Sequence, residues 1–177
     1  MSRIKTLAPA FVAAGMLLGA TAPVMAGPED TAFFQRFAGS FSGSGEVLRN
    51  AQASPNNVNC TFKGQPGQDR ITFNGTCRAY VLFSRDVGIS LMVDPKTDRY
   101  VGTYTGSSIG VATLSGTRKG TGATFTITWP KPVNGDRVAT LSIQFQSDNT
   151  LRVVTTDKAS VNGPVITTSD IRLKRAG

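Results

Sequence analysis

The chain has 177 residues, with 19 lysines and arginines against 11 acidic residues and no histidine, for a formal net charge of +8. Lacking histidine, it has no Ser-His-Asp triad and is without the commonest general base and metal ligand. Its positive residues are scattered, apart from Arg118-Lys119 and the closing Arg172, Lys174 and Arg175, so the concentrated basic stripe interleaved with aromatics that marks nucleic-acid binding is missing.

Arg3 and Lys5 lead into an apolar run that closes on Val24-Met25-Ala26. A basic start, a short apolar centre and small residues before the break are what a secretory signal peptidase reads, so residues 1–26 are expected to leave as a signal peptide, with cleavage near Ala26. Pro9, Gly15, Gly19 and Pro23 interrupt the run, which falls short of the about 20 predominantly apolar residues a membrane anchor needs. No transmembrane segment is expected, and the address is the periplasm or beyond. Cleavage removes Arg3 and Lys5 and takes the charge from +8 to +6, a modest bias that favours encounter with anionic envelope components. About 150 residues remain, enough for a single domain, 27–177, with its own core.

Pro28 to Phe37 is the one segment of the mature chain patterned as a helix. Pro28, Glu29 and Asp30 suit a first turn, Phe33, Phe34 and Phe37 make an apolar face, and Gly39 stops it. Such a helix is placed to plug one end of a barrel; an exposed aromatic contact is the alternative use of the same face.

From Ser40 to Lys174 short alternating runs of Thr, Val, Ile, Phe and Ser are punctuated by Gly, Asn, Asp and Pro. Alternation marks strands with one wet and one buried face, and closely spaced turns point to an antiparallel sandwich or barrel. The expected strands include Ser40 to Leu48, Asn57 to Gly64, one long strand from Arg70 to Phe83, then Gly88 to Asp94, and so on to Val165 to Lys174. Asp94-Pro95-Lys96-Thr97-Asp98, Asn134-Gly135-Asp136 and Ser147-Asp148-Asn149 read as turns between near neighbours. That favours an up-and-down meander, and closing it removes the exposed edges.

Cys60 and Cys77 flank a hairpin signal at Pro66-Gly67-Gln68-Asp69. Centring the hairpin between Gln68 and Asp69 sets Cys60 opposite Cys77, Phe62 opposite Gly75 and Gly64 opposite Phe73. Cross-strand Cβ atoms then stand about 4.5 to 5.5 Å apart, close to disulfide reach. A bridge closing this loop stabilises by roughly 3 kcal/mol. A redox pair usually relies on a Cys-x-x-Cys spacing, far tighter than this one.

The remaining ionisable candidates are isolated carboxylates, chiefly Glu46, Asp86, Asp94, Asp98, Asp136 and Asp170, mostly in turns where Asp bonds its own backbone. They yield no catalytic residue, no metal site and no cofactor. Gly39-Ser-Phe-Ser-Gly-Ser-Gly45 runs on into a strand, not into the Gly-Lys-Ser/Thr and helix of a phosphate loop; its small residues fit tight curvature in a first barrel strand. Phe125, Ile127 and Trp129, and Leu141, Ile143 and Phe145, each share one sheet face by period two. Barrels of about eight strands or more can keep a cavity for one small ligand. Tyr80, Tyr104 and Trp129, or Tyr100, are its candidate lining, with Arg78 or Arg99 to pair an acidic head.

Gly39-Ser-Phe-Ser-Gly-Ser-Gly45, Val58-Asn-Cys60, Asn74-Gly-Thr-Cys-Arg78 and Tyr100-Val-Gly-Thr-Tyr104, in that order after the leader, resemble a group of small exported, alphaproteobacterial-type proteins. The resemblance implies a calycin-like (lipocalin-like) β-barrel, in a group mostly of unknown function. A second resemblance is to periplasmic inhibitors of secreted metalloproteases, small disulfide-containing barrels whose N-terminal segment enters the protease; Gly27 to Phe37 would be the matching part. Those inhibitors carry tryptophan where this chain has Phe41 and Tyr80.

The sequence thus sets up an all-β, antiparallel up-and-down barrel of about eight to ten strands with a short N-terminal helix and one hairpin disulfide. The expected protein is a noncatalytic periplasmic monomer that binds a small apolar or amphipathic molecule or an anionic envelope component. The alternative is an interaction module for a protease, with Phe33, Phe34 and Phe37 in contact.

Overall fold

The structure is a computed structural model that describes residues 27–80 and 83–177. The expected signal peptide, residues 1–26, lies outside the described residues. A short helix α1 (Pro28–Gln35) precedes ten strands: β1 (Gly39–Val47), β2 (Asn56–Pro66), β3 (Arg70–Ala79), β4 (Phe83–Asp94), β5 (Arg99–Thr105), β6 (Ala112–Lys119), β7 (Gly122–Val133), β8 (Asp136–Ser147), β9 (Thr150–Lys158) and β10 (Val165–Arg175). Each strand pairs antiparallel with its chain neighbours, and β1 pairs with β10 to close the barrel. Closure leaves no free sheet edge.

Alternation decides which side chains fill it. Val58, Cys60 and Phe62 on β2, Phe125, Ile127 and Trp129 on β7, and Leu141, Ile143 and Phe145 on β8 are all buried, with exposed or half-buried residues between them. In β1 the small residues allow a close approach to β10: a Cβ at Gly43 would stand 1.9 Å from the Arg172 carbonyl oxygen. The β2–β3 hairpin has the register its turn dictates, with Cys60 opposite Cys77, Phe62 opposite Gly75 and Gly64 opposite Phe73. The two cysteines are bridged, their Cα atoms 4.1 Å apart.

The strand expected to run unbroken from Arg70 to Phe83 is instead two. β3 ends at Ala79, Tyr80 turns the chain, and β4 begins at Phe83, five residues before the expected Gly88. Tyr80 takes a left-handed backbone, φ +56°, uncommon for an aromatic residue. Nothing in Ala-Tyr-Val-Leu-Phe carries the Gly, Asn, Asp or Pro that announces such a turn.

The helix plugs the end that holds both chain termini of the barrel and the β2–β3, β4–β5, β6–β7 and β8–β9 turns. Phe33, Phe34 and Phe37 are 3%, 0% and 1% exposed, which corrects their assignment to a protein contact: the aromatic face is spent inside. Phe37 packs edge-on against Phe73 and Phe145 at 5.5 and 4.9 Å between centroids, and Phe33 stacks on Tyr100 at 5.9 Å. Gly64 makes room for the plug, since a Cβ there would lie 1.7 Å from the Phe37 carbonyl oxygen.

Polar contacts fix the helix from outside. The Tyr100 hydroxyl donates to Asp30 at 2.5 Å, and Arg118 reaches Glu29 at 2.5 Å and Asp30 at 3.4 Å. Thr31 donates to the Gln68 carbonyl, and Arg36 lies over the Phe145 ring at 4.4 Å while contacting Asp148. Arg175 donates to the carbonyls of Ala38 and Arg36 and covers the Phe41 ring.

Candidate functional site

The opposite end, ringed by the β1–β2, β3–β4, β5–β6, β7–β8 and β9–β10 turns, is open. Inside it lies a cavity of about 550 Å³, within the range of small-ligand sites. Phe62, Phe73, Ile89, Leu141 and Leu173 line its lower part, and Val47, Val87, Val153 and Ile171 its walls. Cys77 also faces in, so the disulfide that staples the hairpin is part of the wall. Phe62 and Phe73, stacked with centroids 4.8 Å apart and planes 3° from parallel, form a flat aromatic surface.

Polar groups gather at the mouth. Arg49, Asn56, Tyr80, Ser84, Arg85, Thr155 and Ser169 contribute to the lining, and none of the described lining residues is acidic. Arg85 is on the inner face of β4 because it lies two and four residues before Val87 and Ile89, and it pairs across to Cys77. Its Nη1 donates to the Gly106 carbonyl at 3.0 Å. Tyr80, at the turn, donates to the Asn56 side-chain oxygen at 3.2 Å, tying the β3–β4 turn to the start of β2. Tyr104 lines the same cavity; burial raises its hydroxyl pKa and the Arg85 guanidinium pulls against that rise.

Trp129 is 8% exposed and stands behind Tyr104, edge to face at 6.0 Å. Its placement follows from Pro130 and Pro132, which cannot donate to a ladder; the β7–β8 pairing accordingly breaks between Thr128 and Val133. The indole Nε1 is buried with no hydrogen-bond partner among the described residues. Tyr100, the other tyrosine considered for the lining, is 2% exposed in the plug and does not reach the cavity.

Two expected contacts are corrected. Arg78 follows inward Cys77 and so points outward, beside a groove over β1–β3 that also includes Ser42, Ser44, Asn59 and Thr61. Arg99 precedes inward Tyr100, points outward, and donates to the Ser115 hydroxyl at 3.2 Å. The cations at the mouth are Arg49 and Arg85. Both were missed, Arg85 because the strand carrying it was expected to begin three residues later, at Gly88.

The carboxylates lie mostly apart, though Asp136 comes near enough to Asp157 to help raise its pKa. Asp94 accepts the Lys96 backbone N–H and the Thr97 hydroxyl within its turn, and these bonds hold its pKa below the usual range. Asp170 is held low chiefly by its hydrogen bond to Arg152 at 2.6 Å. Asp157, which the sequence did not single out, is 5% exposed and accepts the Lys158 backbone N–H at 2.7 Å; burial raises its pKa. Among the described residues no group of three His, Cys, Asp or Glu is placed to hold a metal, and no helix is long and apolar enough to cross a membrane.

No protein-family model matches the sequence, and no curated protein matches it. Solved structures do. Rv2717c from M. tuberculosis superposes with a TM-score of 0.62 at 12% identity, over 85% of this chain and 99% of that one. The S-type phycobiliprotein lyase CPES from Guillardia theta superposes with a TM-score of 0.55 at 13% identity, over 82% of this chain and 92% of that one. The fold is thus a calycin-like, lipocalin-type barrel. The second likeness corrects the expectation of a noncatalytic protein: a lyase is built on this fold.

Proposed function

We propose that the protein holds a small amphipathic molecule in the barrel, apolar body inward and anionic end between Arg49 and Arg85, and that it does so in the periplasm after loss of residues 1–26. The observation that carries this reading is the cavity itself, apolar in its depth and bearing two guanidinium groups and no described carboxylate at its mouth. Each methylene moved from water into such a site contributes about 0.8 kcal/mol, while the cations choose which end stays at the mouth. A phycobiliprotein lyase is built on the same barrel. The leader, the disulfide and the positive charge support an envelope setting.

The test uses a fluorescent fatty acid and the matching alcohol as probes. The acid should bind and change the emission of Trp129, the only tryptophan, which is coupled to the cavity through Tyr104. Replacing Arg49 and Arg85 together by Gln should weaken the acid by about tenfold and leave the alcohol unchanged, because an ion pair at a solvent-open mouth is worth about 1 kcal/mol. Equal affinities for acid and alcohol in the wild-type protein, or no binding of either, would overturn the reading. N-terminal sequencing of the protein from the periplasmic fraction checks the address; an intact residue 1 would refute it.

A further inference from the structure

Large apolar side chains left in water are not spread evenly over this barrel. Among the described residues, those exposed are Tyr80 at 75%, Phe83 at 71%, Val111 at 56%, Val138 at 51%, Val161 at 59%, Val165 at 67% and Met92 at 41%. Tyr80 and Phe83 flank the β3–β4 turn, Val111 lies in the β5–β6 connection, Val161 lies in the β9–β10 connection and Val165 opens β10, and Val138 is near the start of β8. All of these surround the open end; only Met92, near the end of β4, belongs to the plugged end. Exposed apolar side chains gathered at one end of the barrel mark it as an interaction surface.

The charges around the rim specify the partner. Arg49, Arg85, Lys131 and Arg137 are exposed there. Of the nearby carboxylates, Asp136 pairs with Lys158 at 3.1 Å and Asp157 is buried, while Glu46 and Asp86 are exposed, Asp86 accepting the Thr76 hydroxyl at 2.7 Å, and the four cations outnumber these two exposed carboxylates. At the plugged end the exposed carboxylates Glu29 and Asp148 are each paired with an arginine, Arg118 and Arg36. Apolar tips backed by an excess of exposed cations suit a bilayer with anionic headgroups, where each basic residue near the surface adds about 1 kcal/mol and apolar side chains enter the headgroup boundary.

We infer that the open rim docks on an anionic lipid surface, so that the mouth of the cavity faces the membrane. This goes beyond the ligand reading, since docking needs the rim and not an occupied cavity. The test is co-sedimentation of the protein, purified after export, with vesicles of phosphatidylcholine alone and of equal parts phosphatidylcholine and phosphatidylglycerol. Binding is expected to the mixed vesicles and to weaken with salt. Val111, Val161 and Val165 do not line the cavity, so the triple variant V111S/V161S/V165S should bind the mixed vesicles roughly tenfold or more weakly while retaining the fluorescent acid in solution, which also shows that it folds. Met92→Ser should bind as the wild type does. Wild-type protein that ignores the mixed vesicles, a triple variant that binds them undiminished, or a rim-dependent dimer formed without lipid would each overturn the inference.

Discussion

At the plugged end of the barrel, rings meet rings. Phe33, Phe37, Phe73 and Phe145 contact one another edge-on, and the surrounding arginines are committed to carbonyls, carboxylates and ring faces. At the open end the strands reach past their packed layer, side chains of the same apolar types stand in water, and two arginines look into a cavity. One alternating pattern runs the length of every strand, so the difference does not come from the strands. It comes from what the chain places across each end: an eight-residue helix at one, turns alone at the other. Close packing and an open cavity thereby fall at opposite ends of one continuous wall.

Phe34→Ala is the strongest way to break that division. Phe34 is wholly buried, and removing a buried ring costs about 3 to 5 kcal/mol, which urea unfolding would show directly. Phe83→Ser, a ring of the same size at the mouth and 71% exposed, should shift stability by no more than about 0.5 kcal/mol. Comparable losses for the two would mean that the ends are not distinct. Next in size is the double variant C60A/C77A. The staple is in the cavity half of the wall, and its removal should cost about 2 to 4 kcal/mol; a negligible loss would show that the open half is held by its ladder alone.

The plugged end was the more legible of the two in the sequence. The helix, its aromatic face and the β2–β3 register followed from turn chemistry and period-two counting, because each is a local pattern. The same counting could have placed Arg78 and Arg99: each adjoins a residue that faces inward, Cys77 and Tyr100, and so must face out. Their nomination rested on charge near an aromatic instead of on parity. The open end was harder for a physical reason. Tyr80 reverses the chain with a left-handed backbone held by pairing on both sides and by a hydrogen bond to Asn56, not by its own preference, so β4 lost its first residues and Arg85 its face. That a cavity survives there depends on how ten strands curve together, which no single run of residues encodes.

A smaller effect sharpens how the plug is fastened. Tyr100→Phe keeps the ring that stacks on Phe33 and removes the hydroxyl that donates to Asp30. Asp30 retains Arg118 at 3.4 Å, so the loss should be about 1 kcal/mol, measured by thermal or urea unfolding with ligand-probe affinity unchanged. A change in affinity would show that the two ends communicate.

The smallest expected effect carries a sign that depends on pH. Asp157 is the one buried charged residue described, on the cavity half of β9, and burial raises its pKa in the folded protein. The folded state therefore binds this proton more tightly than the unfolded chain does, and the contribution is fully present below the ordinary carboxylate pKa and lost as pH rises through the raised one. Asp157→Asn is neutral at every pH and its side-chain oxygen can still accept the Lys158 N–H. Unfolding measured in urea should find the variant more stable than the wild type near neutrality, with the advantage shrinking to nothing in acid. An advantage that is the same at both pH values would mean that ionisation of Asp157 is not what sets its cost. Loss of stability near neutrality would mean that the carboxylate's bonds to Lys158 and Asn134 outweigh its desolvation, and that the open end too depends on a charge held in place.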